Sequence, residues 1–439
     1  MEGPGRMRNG HAAVPGVKRH IVWGPVVGFG LVSLAADVVS DGARPLAGPL
    51  LAELGGSALL VGLVTGAAEA AAQGLRLVFG PWADRTRRYW TFTMAGYTLT
   101  AVCIPLLALT PFLGAAGLLL AGALIIGDRV GKAVRSPAKT VLLAAAAKPV
   151  GRGRGFAVHK SLDLAGALIG PLLVSAVLAA TGSISVALAV LAIPAAAALG
   201  LLVWLRRRVQ DPGTVRATPA DAAGADADAG GAAPDDDADA AAPASAGRPP
   251  SLLTGSFLLF AIAAFFWSVG LVAFGVISFH LTTTAAVPVA AVPLFYAAAM
   301  GAGALGALAS GVLYDRAGGA VLLGLPVLIT AVPVLALAPG AGLALAGVLI
   351  WGAATGIQDS TVKALIADLV PELRQGTAYG VFAAFEGAGA LAGGVLYGAL
   401  YGSRALLIGV VAGLQVLAFV VLLLTMRKAR RSRLPVPWL

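Results

Sequence analysis

Several ionisable side chains lie inside or at the ends of long apolar runs: Asp37, Glu69, Arg76, Asp128, Arg129, Lys132, Asp163, Asp359, Lys363 and Glu386. A charge at the centre of a hydrocarbon layer costs roughly 2.5–3.5 kcal/mol on insertion scales. Groups kept at that cost must pair, hydrate or stay neutral. A carboxyl shielded from water is suited to carry a proton. Glu69, Asp163 and Glu386 are therefore read as proton-coupling or substrate groups, with structural hydrogen bonding as the alternative. Asp37 and Asp41 are candidates for the same task, and His159 stands one helical turn before Asp163, at i, i+4.

The basic residues also follow helical spacing. Asp128, Lys132, Arg135 and Lys139 recur at intervals of four, three and four, which places them on one stripe. Asp128 with Lys132, and Asp359 with Lys363, have the spacing of acid–base pairs. Together with Arg76 and Arg129, these groups either snorkel toward an interface or line an electropositive vestibule that attracts anions.

The elements that must position these groups are membrane-spanning helices. Of the 439 residues, 58% are hydrophobic and only 12% charged, against about 25% charged in soluble domains; mean hydropathy is +0.88. Runs near twenty apolar residues match the thickness a helix must cross, and a helix satisfies its own backbone there. The pattern predicts an all-α, polytopic membrane protein of twelve transmembrane helices. Six spans fall near 21–42, 56–80, 90–109, 113–135, 155–180 and 184–205. Six more fall near 252–281, 289–313, 319–338, 343–362, 377–401 and 404–426. The first run exceeds a secretory h-region and lacks a convincing cleavage site, so it reads as a retained span.

Lys and Arg cluster in alternate loops, while the opposite loops offer only Arg44 and Arg404. This bias puts both termini in the cytoplasm of a bacterial plasma (inner) membrane protein. The chain then divides into an N-terminal segment (1–20), two six-helix bundles (21–205 and 251–426), a linker (206–250) and a basic tail (427–439). Residues 209–250 hold eight aspartates and no aromatic residue. They cannot bury enough apolar surface to order themselves and read as a disordered cytoplasmic tether, with a regulatory role as the alternative.

The halves repeat. Gly80-Pro-Trp-Ala-Asp84-Arg85 follows span two, and Gly311-Val-Leu-Tyr-Asp315-Arg316 follows span eight. A constant offset of 223 residues sets Asp163 on Glu386, Gly166 on Gly389 and Gly170 on Gly393. Repeats of this kind underlie transporter folds with their sites between the halves.

The paired loops resemble the G-x-x-x-D-R motif of the major facilitator superfamily, with Gly80, Asp84, Arg85, Arg87 and Arg88 in the first copy and Gly311, Asp315 and Arg316 in the second. The resemblance implies two pseudo-symmetric six-helix bundles and assigns these loops to a cytoplasmic gate. Gly166, Gly170 and Pro171 are similar to the core of an antiporter-associated motif, although Val174 and Ser175 stand where it has a glycine pair. Asp37-Val-Val-Ser40-Asp41 and Asp128-Arg129 through Pro137 resemble an uncharacterised bacterial efflux-permease branch.

No phosphate-binding G-x-x-x-x-G-K-[ST] loop occurs, and one cysteine with four histidines forms no convincing metal cluster. The expectation is a transporter with no enzyme activity, cofactor or metal. The net charge of +10 is accounted for by topology, without nucleic acid. The expected partners are the lipid bilayer, a small-molecule substrate and protons, and the expected state is a monomer. Proton-coupled efflux of a small organic molecule is the leading reading. Uptake of an anionic metabolite, and a flux-free sensor or scaffold, are the alternatives.

Overall fold

The computed structural model describes residues 19–209, 211, 255–370 and 375–431. Among these residues the chain is helical and contains no strand, as a bilayer demands of a chain that must satisfy its own amides.

The helices run in order: α1 (Arg19–Ala43), α2 (Ala47–Glu53), α3 (Ala58–Gly74), α4 (Arg76–Thr86), α5 (Tyr89–Leu106), α6 (Ala115–Ala147), α7 (Arg152–Thr181), α8 (Ile184–Val190) and α9 (Ala192–Arg206). They continue with α10 (Gly255–Gly270), α11 (Phe274–Thr283), α12 (Val292–Ala317), α13 (Gly324–Ala336), α14 (Ala341–Leu369), α15 (Gln375–Ala399) and α16 (Arg404–Arg431).

By length and composition, ten stretches of the described residues can cross a membrane. Val289–Ala336, at 48 residues, is about 72 Å of helix, more than twice a hydrocarbon core. It breaks at a 3-10 segment, Gly318–Leu323, and is long enough for two crossings. Helix α6 is 33 residues long but is not among the ten stretches, and it carries Asp128, Arg129 and Lys132 along its middle. Twelve crossings are reached only by counting α6 and dividing 289–336; apolarity alone gives ten.

The first crossing differs from the sequence reading. It runs from Trp23 to Glu53 through a 3-10 turn at Arg44–Leu46, so Arg44, expected in a loop, lies within the membrane-spanning stretch. Leu46 through Ala52 are apolar or small and extend the run, and the charge of Arg44 is matched by neighbours described below. The seventh crossing breaks as well, between α10 and α11.

Small residues bring the helices together, as expected where lipid removes the hydrophobic drive between them. A Cβ on Gly166 would strike the carbonyl oxygen of Leu34, and one on Gly170 would lie 2.5 Å from that of Val38. In the second half, a Cβ on Gly389 would lie 2.6 Å from the carbonyl oxygen of Phe265, and one on Gly393 2.5 Å from that of Val269. The internal repeat is thus a repeat of contacts: α7 lies on α1 as α15 lies on α10. Between the halves, α3 lies along α15 with Gly62 against Gly394 and Gly66 against Ala390. The linker 212–250, Arg374, the end of the basic tail from 432 and the Lys363 side chain lie outside the described residues.

Candidate functional site

The site forms where α1, α3, α6, α7 and α12 converge. We call the end of the bundle carrying Asp84 and Asp315 the basic face and the opposite end the far face. Where α1 tightens into the 3-10 turn at Arg44–Leu46, the Arg44 guanidinium faces inward. It pairs with Glu69 of α3 and lies 3.9 Å from Asp41. It also donates to the hydroxyl of Tyr296 on α12 at 3.3 Å, and Tyr296 donates to Asp41 at 3.2 Å. Asp41, Arg44, Glu69 and Tyr296 thus form one network spanning both halves, with Tyr296 fully buried. Toward the far face the seam is closed further: the Ser175 hydroxyl donates to the Ala290 carbonyl at 2.6 Å, and Gly48 packs on Gly275.

A small cavity of about 40 Å³ adjoins this network. Arg44 and Glu69 line it on one side and Asp128 and Arg129 on another, with apolar walls that include Ile104 and Phe274. Asp128 accepts from the Ser40 hydroxyl at 2.9 Å and lies 3.7 Å from the Arg129 guanidinium. Its partners are therefore Ser40 and Arg129; no Asp128–Lys132 ion pair occurs among the described residues.

Toward the basic face, Asp37 on α1 and Asp163 on α7 are close neighbours, each carboxyl within electrostatic reach of the other. Asp163 accepts from Ser33 at 3.0 Å and from Lys160 at 2.8 Å, and Lys139 donates to Ser33 at 3.1 Å. Lys132 lies within electrostatic reach of both Asp37 and Asp41. A line of titratable groups therefore runs from Lys160, whose side chain is 65% exposed, through Asp163, Asp37, Lys132 and Asp41 to Arg44 and Glu69.

The basic stripe read from α6 separates in three dimensions. Lys132 faces the aspartates of α1. Arg135 is buried, donates to Thr100 at 2.6 Å and lies 4.7 Å over the Tyr97 ring. Lys139 is held by Ser33. His159 is buried with Nε2 unpartnered and does not hydrogen-bond Asp163. In the second half, Gln358 donates to Glu386 at 2.6 Å, and Arg76 from α4 lies within electrostatic reach of Asp359 and Glu386.

The loop motifs lie at the ends of α4 and α12. Asp84 is exposed and accepts from the Tyr89 hydroxyl at 3.3 Å. Arg87 caps α4 at φ +52°, a left-handed turn. Arg85, Arg88, Asp315 and Arg316 are exposed. Gly80 has only Pro137 near it, at 3.9 Å, and Gly311 has open space. Gly166 and Gly170 seat α7 on α1, with Pro171 buried beside them.

Sequence reasoning missed Tyr296 and the inward Arg44. The apolar stretch continuing past Arg44 to Glu53 was the available signal for the second; none marked the first. His280 is buried between Tyr401 and the Ala338 carbonyl, at 2.8 and 3.2 Å.

Comparison with known proteins places this architecture. The family model of the Major Facilitator Superfamily matches residues 29–394. An uncharacterised protein of Mycobacterium tuberculosis is 47% identical over 402 residues, covering 91% of this chain and 92% of the relative. Among solved structures, the nucleoside transporter NupG superposes with a TM-score of 0.65 at 14% identity, covering 92% of this chain and 99% of that one. A D-xylose–proton symporter gives 0.62 at 16% identity, covering 92% and 96%.

Proposed function

The chain belongs to the major facilitator superfamily, and from that premise we propose a proton-coupled secondary transporter that exports a small organic molecule by alternating access. The halves 21–205 and 251–426 rock about the α3–α15 seam, with 206–250 as the tether. The basic face, both termini included, lies in the cytoplasm of a bacterial inner membrane, in keeping with the Lys and Arg bias.

The observation that carries this reading is the closeness of the Asp37 and Asp163 carboxyls. Two neighbouring carboxylates away from water repel unless a proton is shared between them. The pair lies between an exposed lysine and the charged cavity, so gaining or losing that proton changes the field at Asp41, where the two halves meet. Occupancy of the proton site and contact between the halves are thereby linked, as coupling requires. The seating of α7 on α1 through the antiporter-like Gly166 and Gly170 supports export, since it joins the proton pair to a helix that borders the seam.

Uptake of an anion would draw on an electropositive stripe, but Lys132, Arg135 and Lys139 face three different partners. That leaves export the better supported direction. In proteoliposomes loaded with a panel of small organic molecules, an imposed pH gradient drives flux in the native protein. Asp163→Asn abolishes the pH-driven component, while Glu386→Gln, at a carboxyl in the other half whose hydrogen-bond donor is Gln358, reduces it less. Intact pH-driven flux in Asp163→Asn refutes the coupling assignment. Absence of flux with every compound favours a sensor or scaffold instead.

A further inference from the structure

We infer that the transported molecule is a small zwitterion: one carboxylate and one ammonium on a compact, mainly apolar frame. The inference rests on the transporter reading above and names its substrate class.

The cavity beside the α1 break contains four ionisable side chains, Arg44, Glu69, Asp128 and Arg129. Two are guanidiniums and two are carboxylates. Asp128 and Arg129 are almost fully buried, at 2% and 5% exposure. Their formal charges sum to zero: Arg44 pairs with Glu69 and Asp128 with Arg129, while behind this wall Asp41, 3.9 Å from Arg44, is offset by Lys132.

A ligand of net charge entering such a site brings an uncompensated charge into a weakly polar interior, where the penalty is steep. A neutral molecule without charges fares no better. To fit, it must separate ion pairs while offering nothing in exchange. A zwitterion avoids both costs. Its carboxylate replaces one lost carboxylate partner at the guanidiniums, and its ammonium replaces one lost guanidinium partner at Glu69 or Asp128.

The backbone adds to the anionic end. The chain breaks between Gly270 and Phe274, and the first turn of α11, at Ala273, Phe274 and Gly275, lines the same cavity. The first amides of a helix have no intrahelical acceptor and favour negative charge. The remaining wall, with Ile104 and the Phe274 ring, has no further charge and suits an apolar frame. At about 40 Å³ the cavity in this conformation holds a water or two; rocking of the halves must widen it for a solute.

The test is equilibrium binding to the full-length protein in detergent, by calorimetry and thermal shift, with no pH gradient. Its outcome is thereby separate from that of proton coupling. The probes are matched sets: neutral α-, β- and γ-amino acids, each with its primary amide (a cation) and its N-acetyl derivative (an anion). At least one zwitterion should bind, and both of its single-charge derivatives should bind about tenfold or more weakly.

Charge changes in the wall should then invert the preference. Glu69→Gln leaves the cavity net positive and favours the N-acetyl form over the amide; Arg129→Gln leaves it net negative and favours the amide. A variant with a merely structural defect weakens all three forms alike. The inference is overturned if no zwitterion binds better than both of its derivatives, or if both variants leave the ranking unchanged. Should either variant fail to fold, the ranking on the native protein decides.

Discussion

Tyr296, on α12, donates its hydroxyl hydrogen to the carboxylate of Asp41 on α1 at 3.2 Å, across the seam between the two halves. The same oxygen accepts from Arg44 at 3.3 Å. One phenol thus touches both members of a charged pair on the opposite half, on the side where Ser175 and Gly48 also close the seam. A hydrogen bond to a charged group contributes about 1.5–3 kcal/mol. Tyr296→Phe keeps the ring, which packs on Phe274 at 4.8 Å, and removes only these bonds. The far face should then open about tenfold more often or better. The chain has a single cysteine, Cys103, so a reporter Ala47→Cys in a Cys103→Ser background is readily made. Tyr296→Phe should raise its modification rate by an impermeant maleimide applied at the far face. An unchanged rate would show that Tyr296 does not latch the seam.

The Arg44–Glu69 pair leads to a second expectation. Each side chain is 23% exposed; removing one member of a fully buried pair typically costs about 3–5 kcal/mol because the other is left uncompensated, and a partly buried pair costs less. Replacing both with apolar residues of similar size is often close to neutral. Arg44→Leu alone should therefore lower the thermal midpoint in detergent more than Arg44→Leu combined with Glu69→Leu. Equal or additive losses would mean that the two charges are not each other's main partners.

Arg44 also shows where sequence ceases to be sufficient. Apolar runs report that the chain crosses the bilayer many times because hydrocarbon thickness acts on every residue alike, but they stop at ten, since α6 carries charges along its middle and 289–336 reads as one run. The offset between Gly166 and Gly389 was legible for a similar reason: both halves solve one packing problem with the same small residues. A charge inside the membrane is different. Whether Arg44 ends a span or sits in its middle depends on Glu69 and Tyr296, which are 25 and 252 positions away. Helical spacing set Asp128 and Lys132 on one stripe, but Asp128 takes Ser40 from α1, because partner choice follows the neighbouring helix. The closeness of Asp37 and Asp163 was out of reach for the same reason, although both residues were candidates.

Lys160 and Asp37 flank Asp163 in different settings, and that difference yields a third prediction. The Lys160 side chain is 65% exposed, and an exposed ion pair contributes about 0–1 kcal/mol. Lys160→Gln should leave pH-driven flux within about fivefold of the native rate. Asp37 is 7% exposed, and Asp37→Asn removes half of the proton pair. Its pH-driven flux should fall to the level of Asp163→Asn, and the double variant should be no worse than either single one. If the losses add, the two carboxyls act separately and the shared-proton account is wrong.

The glycines separate packing from motif. A Cβ at Gly166 or Gly389 meets a backbone carbonyl of the neighbouring helix, and backbone cannot move aside as a flexible side chain can. Gly166→Ala and Gly389→Ala should each push the paired helices apart, lowering folded yield and thermal midpoint. Because the contact recurs in both halves, the two losses should be comparable in size. Gly311 belongs to the repeated loop motif yet has nothing within 4 Å of its added Cβ, and it lies inside α12. There alanine removes backbone freedom at no steric cost, worth about 0.5–1 kcal/mol in a helix. Gly311→Ala should fold as well as the native protein or slightly better. If it transports poorly while remaining stable, close approach of Gly311 to a neighbour is needed in another state of the cycle, as a gate would require. If it transports normally, that glycine has no part in gating, and the gate rests on the charged residues of the motif.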